Sequence, residues 1–245
     1  MFNTELMFLL LLPLVAFLYA SVGHGGASGY LALMALFAVP TALMKPTALL
    51  LNLFVAGAAA WHYYRNGYFR WQLFLGFAIG SVPSAYVGGL LTLEPYWYQR
   101  VLAVLLLFAV LKMLNLLGAS SQKHIKQPVL WQSILIGAFI GLSSGLIGIG
   151  GGIILSPVIL LLHWGSMKET AAVSAVFIWV NSAAGLAGQW TSGIEFHPQI
   201  AIWVGLALIG GLMGSYLGSR RLNNLYLKRL LALVLLMASV KLVAV

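Results

Sequence analysis

The side chains of this chain that could do chemistry are few, and nearly all of them are neutral. His24, Ser28, Asn52, Ser144 and Asn181 are polar residues set in apolar sequence. Two glycine clusters accompany them, "SVGHGGASGYLA" at 21–32 and "GLIGIGGGIILSP" at 145–157. Asp and Cys are absent, and the four Glu (Glu5, Glu94, Glu169 and Glu195) fall near the ends of apolar runs. Thiol catalysis, disulfides and thiolate metal sites are thereby excluded. A carboxylate proton relay or cation pump would want an acid at membrane depth, and none is available. The sequence asks for no cofactor and no metal. What these residues can do is donate hydrogen bonds. Glycine permits positive φ and close backbone approach. The N–H groups around Gly25, Gly26 and Ala27, and around Gly150, Gly151 and Gly152, can therefore point into a cavity. A helix that starts there adds positive potential, which suits an anion. The ligand this chemistry fits is a small oxyanion.

Such groups need elements to hold them, and composition says which. Of 245 residues, 62% are hydrophobic and 7% charged, with mean hydropathy +0.99; a soluble domain would carry about 25% charged residues. Long apolar runs between short polar breaks predict an all-α polytopic membrane protein, and the alternation of a membrane β-barrel is missing. No stretch is long enough for a separate soluble domain, which excludes catalysis in one. The N-terminal segment resembles a signal peptide but lacks a basic start and carries Glu5, so it reads as retained structure. The net charge of +9 comes from basic residues scattered singly or in adjacent pairs along the chain. That is no nucleic-acid footprint. The expected partners are the lipid bilayer and a small anionic substrate, and the oligomeric state, a homodimer included, stays open.

The chain is written twice. "RVLAVLLLFAVLKML" from Arg100 and "RLLALVLLMASVKLV" from Arg229 share seven of fifteen positions, and "GSVPSAYVGG" at 80–89 aligns with "GGLMGSYLGS" at 210–219. The glycines repeat as well, Gly23, Gly25 and Gly26 against Gly148, Gly150 and Gly151. The predicted organisation is a first repeat over 1–118, a polar linker over 119–130 and a second repeat over 131–245. Each repeat reads as two short helices around a glycine break, then three longer helices. The spacing predicts helices over 6–21, 28–40, 46–64, 70–91 and 99–117, and over 131–146, 153–163, 169–187, 197–217 and 226–244. Charge then chooses a topology. If each broken pair is a re-entrant hairpin, the repeats are inverted and ten Lys and Arg share one face against three (Lys45, Arg100 and Lys241) on the other. That split follows the positive-inside rule, with the linker cytoplasmic and both termini outside. Treating each pair as one interrupted span divides the same charges six against seven.

Plainer roles compete for the same residues. Glycine in membrane helices also serves close packing, and an interhelical hydrogen bond would equally explain Asn52 and Asn181, which sit in similar places in the two halves. His24 faces Ile149 in the second copy and reads either as a ligand or proton carrier, or as a packing residue. The remaining histidines lie near helix ends or in the linker. Trp61, Tyr63, Tyr64, Trp71, Tyr96, Trp97 and Tyr98 form an interfacial belt, while Trp179 falls in mid-helix.

At "GIGGGIILSPVI" (148–159), "MKETAAVSAVFIWVNSAAG" (167–185) and "GGLMGSYLGSRRL" (210–222) the chain resembles the sulfite exporter TauE/SafE family. The first repeat departs from the pattern at Ala27, Ala32 and His24. The resemblance implies a bacterial or archaeal cytoplasmic-membrane protein that moves sulfur-containing anions such as sulfite or organosulfonates. Two other readings are an intramembrane serine hydrolase using "GLSSG" at 141–145, and a non-transporting assembly subunit of the membrane.

Overall fold

The computed structural model describes residues 2–21, 23–113, 125–191 and 193–220, together with Leu236 and Val240. The helix expected over 226–244, Leu236 and Val240 apart, and the first half of the linker lie outside the described residues. All regular structure among those described is helical: α1 (Phe2–Ser21), α2 (Ala27–Leu36), α3 (Thr41–Arg65), α4 (Trp71–Leu90), α5 (Pro95–Met113), α6 (Leu130–Ile147), α7 (Gly152–Leu161), α8 (Met167–Trp190) and α9 (Ile200–Arg220). Among them α3, α4, α6, α8 and α9 are long and apolar enough to cross a membrane. Leu10, Phe54, Ile79, Phe139 and Ile209 point outward and exposed, as lipid-facing side chains do.

Each glycine cluster ends one helix and starts another. Gly148 closes α6 with φ 88°, and Gly26 and Gly151 stand before α2 and α7 with φ 103° and 77°. These are left-handed conformations that cost a residue with a side chain about 1–2 kcal/mol. The two short helices also stop alike. Ala38 and His163, 125 residues apart, both take positive φ, and Val39 and Trp164 donate back to Met34 and Ile159. Both stops come two or more residues before the boundaries expected from sequence.

Each broken pair turns back on itself. The Ser28 hydroxyl donates to the Tyr19 hydroxyl at 2.8 Å, and the Phe37 ring packs on Phe8 near the start of α1. In the second pair the Lys126 N–H donates to His163 O at 2.7 Å, which returns the end of α7 to the approach of α6. The pairs are therefore hairpins. Their outgoing arms are longer than the 16 residues expected, at 20 in α1 and 18 in α6, and only α2 and α7 are short, at 10 residues each.

Two glycine seams lock these outgoing arms in place. Gly137, Gly141 and Gly145 of α6 lie on the carbonyls of Phe77, Ser81 and Ala85 in α4, so closely that a Cβ at any of the three would enter the opposing backbone. Gly210, Gly214 and Gly218 of α9 lie in the same way on Pro13, Phe17 and Ser21 of α1. Both seams run parallel, at a spacing of four that puts every glycine on one face. Each joins the first helix of one half to the fourth of the other.

Between the seams, α3 and α8 form a central pair that crosses in opposite senses: Asn52 meets Ser182, and Gly57 meets Trp179. The end of α3 and the start of α8 share one face of the molecule. There Arg70 pairs with Glu169 at 3.6 Å, Lys168 donates to Tyr68, and a Ser166–Glu169 capping box starts α8. An interrupted-span topology would put Arg70 and Glu169 on opposite faces, so this contact fits only the hairpin arrangement.

Candidate functional site

The two glycine breaks leave opposite ends of the α3–α8 pair and meet at its middle. Gly23 sits on Ala171 at the start of α8, and Gly148 sits on Lys45 at the start of α3. Two residues further on, a Cβ built at Gly25 would lie 2.6 Å from Asn52 Oδ1 and 2.9 Å from Ile178 Cγ2. One built at Gly150 would meet the Asn52 amide nitrogen, and Ile178 Cγ2 again at 2.9 Å. The breaks thus converge on one asparagine and one isoleucine. Positions 125 or 126 residues apart exchange roles: Gly25 touches Ala56 where Gly150 touches Ser182.

Gly25, Gly26, Ala27, Gly150, Gly151 and Gly152 are all buried. No acceptor among the described residues takes the N–H of Gly25, Gly26 or Ala27, nor that of Ile149, Gly150, Gly151 or Gly152. Buried unpaired N–H groups are rare in folded proteins. The carbonyl side of the first break is fastened, because the Tyr30 hydroxyl donates to Gly25 O at 2.9 Å. α2 and α7 both start here, each bringing the equivalent of about half a positive charge.

The other polar residues divide. Asn52, fully buried, donates to Ser182 Oγ at 3.4 Å, and its carbonyl oxygen has no partner among the described residues. His24, half-buried, lies beside the second break, with its Nε2 3.1 Å from Ser156 Oγ. Ser156 contacts Ser174 Oγ at 2.9 Å and donates to Gly152 O. Ser144 is buried with an unpartnered hydroxyl and lies under Gly151. Ser28 is turned to Tyr19, away from the meeting point. Asn181 is turned away as well, its amide donating to Ser81 Oγ at 3.1 Å and to Phe177 O at 2.8 Å. The residue that matches Asn52 across the central pair is Ile178 and not Asn181, because α3 and α8 correspond at 126 residues: Lys45 and Ala171 hold equivalent glycines.

Sequence reading missed Tyr30 and Ser156, and it misplaced two tyrosines. Tyr63 and Tyr98 are buried rather than interfacial. They donate to Ser21 O and Ile147 O, the last carbonyls of α1 and α6, where helix ends leave acceptors unmet. Lys45 is also buried, its ammonium bound by the carbonyls of Gly88, Gly89 and Leu91 at the end of α4. Trp179 is 44% exposed on the outer surface and does not line the meeting point.

The family profile described as "Sulfite exporter TauE/SafE" matches residues 8–242. A probable membrane transporter protein of Sinorhizobium fredii, y4hK, is 36% identical over 231 residues, covering 93% of this chain and 94% of that protein. A probable membrane transporter protein of Bacillus subtilis, YdhB, is 23% identical over 226 residues, covering 89% and 90%. No solved structure matches the chain.

Proposed function

Because the chain belongs to the sulfite exporter TauE/SafE family of membrane transporters, we propose that it carries a small sulfur-containing oxyanion, sulfite or an organosulfonate, across the cytoplasmic membrane, in the direction of export. The anion sits between the two glycine breaks. The observation that carries this reading is the convergence of two runs of unpaired backbone N–H groups on one buried asparagine, at the N-termini of two short helices. Non-helical backbone at membrane depth is tolerated where protein or a water-filled cavity surrounds it. Inverted repeats place binding sites at such paired breaks near the midplane. The antiparallel crossing of α3 and α8 supports the inversion, and the charge split supports termini on the outside.

Hydrogen bonds to a charged group contribute roughly 1.5–3 kcal/mol each. Three or four of them, less the cost of desolvating the anion, give micromolar to millimolar affinity of the kind a transporter needs for release. No arginine is required. An inside-negative potential favours outward movement of an anion by about 2.3 kcal/mol per charge per 100 mV. The test is flux of sulfite, methanesulfonate and chloride into proteoliposomes containing the purified protein. Saturable flux of a sulfur oxyanion, lost in Gly150→Leu while the variant stays folded in detergent, is the expected result. Normal flux through folded Gly150→Leu overturns the site. No flux of any sulfur oxyanion, with labelling by a serine-reactive phosphonate, would favour the hydrolase.

A further inference from the structure

The breaks offer many donors, and one acceptor stands between them. Among the described residues, three buried side-chain carbonyl oxygens have no partner: Asn52 Oδ1, Asn181 Oδ1 and Gln189 Oε1. The other orphaned oxygens are the hydroxyls of Thr47, Ser144 and Thr170, which can turn to donate, whereas a carbonyl oxygen can only accept. Gln189 lies in the last turn of α8, and the Asn181 amide is turned to Ser81 and Phe177. Asn52 Oδ1 lies against the first break, 2.6 Å from where a Cβ on Gly25 would stand.

No group of the chain fills that oxygen's lone pairs. Asn52 is fully buried, and its Nδ2 is directed to Ser182 on the side of the second break. The neighbours on the oxygen's side are hydrocarbon, Ile178 Cγ2 and Ala56 Cβ, at 2.9 and 3.0 Å from the same built Cβ. The hydroxyls of Tyr30 and Ser156 donate to Gly25 O and Gly152 O. The Lys45 ammonium is held by the carbonyls of Gly88, Gly89 and Leu91. Across the central pair the matching residue is Ile178, so this acceptor occurs once although the glycines repeat. A buried acceptor left without a donor carries its full desolvation penalty.

A ligand in this place meets unlike groups. The unpaired N–H groups and the starts of α2 and α7 suit anionic oxygens. Asn52 Oδ1 suits none of them, because an ionised oxygen has no proton to give and is repelled by the carbonyl dipole. What satisfies it is an O–H or N–H that the ligand brings. A site built to hydrogen-bond such a group rejects the analogue that lacks it, since its own polar atom is then left unpaired.

We propose that the site selects a singly charged sulfur oxyanion carrying its own hydrogen-bond donor, and that Asn52 Oδ1 reads that donor. Hydrogensulfite belongs to this class, as does a sulfonate with an O–H or N–H beside the sulfonate group. The proposal rests on the anion site argued above and names the class of its substrate. Sulfamate and methanesulfonate make the test, because they match in charge, shape and heavy-atom count and differ in an amino group against a methyl. Calorimetry on the wild-type protein in detergent at neutral pH should give sulfamate the tighter binding, by about 5- to 150-fold. Asn52→Leu should erase that preference, and hydration differences between the two anions cancel when its ratio is set against the wild type's. Asn52→Ala makes the same comparison if the leucine variant does not fold. Equal affinity in the wild type, or a preference for methanesulfonate, is the result if the amide stands reversed with its carbonyl on Ser182. Either overturns the donor requirement and leaves the anion site standing. A sulfamate preference unchanged in a folded Asn52 variant assigns the reading elsewhere and overturns the role of Asn52. Failure of the wild type to bind sulfamate, methanesulfonate or sulfite overturns the anion site, and this proposal with it.

Discussion

The shared contact of both breaks with Asn52 can be tested one methyl group at a time. In Gly25→Ala the new Cβ would fall 2.6 Å from Asn52 Oδ1, 2.9 Å from Ile178 Cγ2 and 3.0 Å from Ala56 Cβ. All three neighbours are buried, and overpacking a filled core costs typically about 1–3 kcal/mol. Gly150→Ala meets the same asparagine and isoleucine and has φ +72° besides. The left-handed backbone adds about 1–2 kcal/mol for alanine. Gly67→Ala separates the two effects, since Gly67 has φ +74° and nothing within 4 Å of its Cβ, so it should lose about 1–2 kcal/mol and no flux. Asn52→Ala removes the atoms that both methyls strike. The Gly25→Ala/Asn52→Ala pair should therefore be non-additive, with a coupling of about 0.5–3 kcal/mol. The assay is thermal unfolding in detergent alongside sulfite flux in proteoliposomes. Gly25→Ala with unchanged melting temperature and normal flux would refute the convergence of the breaks, and so would strict additivity in the double variant.

The seams give a sharper stability contrast. Gly141→Ala drives a Cβ into the backbone of Ser81, where nothing flexible can yield, whereas Gly205 on α9 has open space. Gly141→Ala should prevent recovery of folded protein, and Gly205→Ala should be neutral or more stable by up to about 1 kcal/mol in thermal unfolding. For topology, the absence of native cysteine makes Asn66→Cys and Glu195→Cys clean reporters. An impermeant maleimide should label Glu195→Cys on intact cells and Asn66→Cys only after lysis, and the reverse pattern would place the termini inside. Ser144→Ala should weaken anion binding by about 1 kcal/mol if its unpartnered hydroxyl donates to the anion. Unchanged affinity with higher thermal stability would make Ser144 a packing residue.

Helix breaks were legible in the sequence because glycine clusters act locally. The hairpins were legible because charge counts depend on which side a loop lies and not on contacts. Partners across the structure were not. The four-residue spacing of Gly137, Gly141 and Gly145 is plain once α4 lies against it, yet on its own it is one stripe among 27 glycines. Asn181 resembled Asn52 by its place along the chain, but its helix turns it toward Ser81. Lys45 counted as a charge on one face, and only the end of α4 explains its burial. Ser156 and Ser174 are eighteen residues apart, and His24 stands 132 residues before Ser156. No local pattern joins such residues; packing does.

The two seams also impose a timetable on synthesis. α6 follows α4 by about sixty residues, so that seam can close within roughly 3–12 seconds at 5–20 residues per second. The carbonyls of Pro13, Phe17 and Ser21 must instead wait for Gly210, Gly214 and Gly218, about 200 residues later, or roughly 10–40 seconds. The earliest made of the nine described helices thus waits longest for its seam. During that interval the hairpin of α1 and α2 has its glycine-rich turn and half of the proposed anion site in place, without the helix that grips it. A ribosome stalled before α9 would release a chain whose second hairpin is locked and whose first is still adrift in the bilayer.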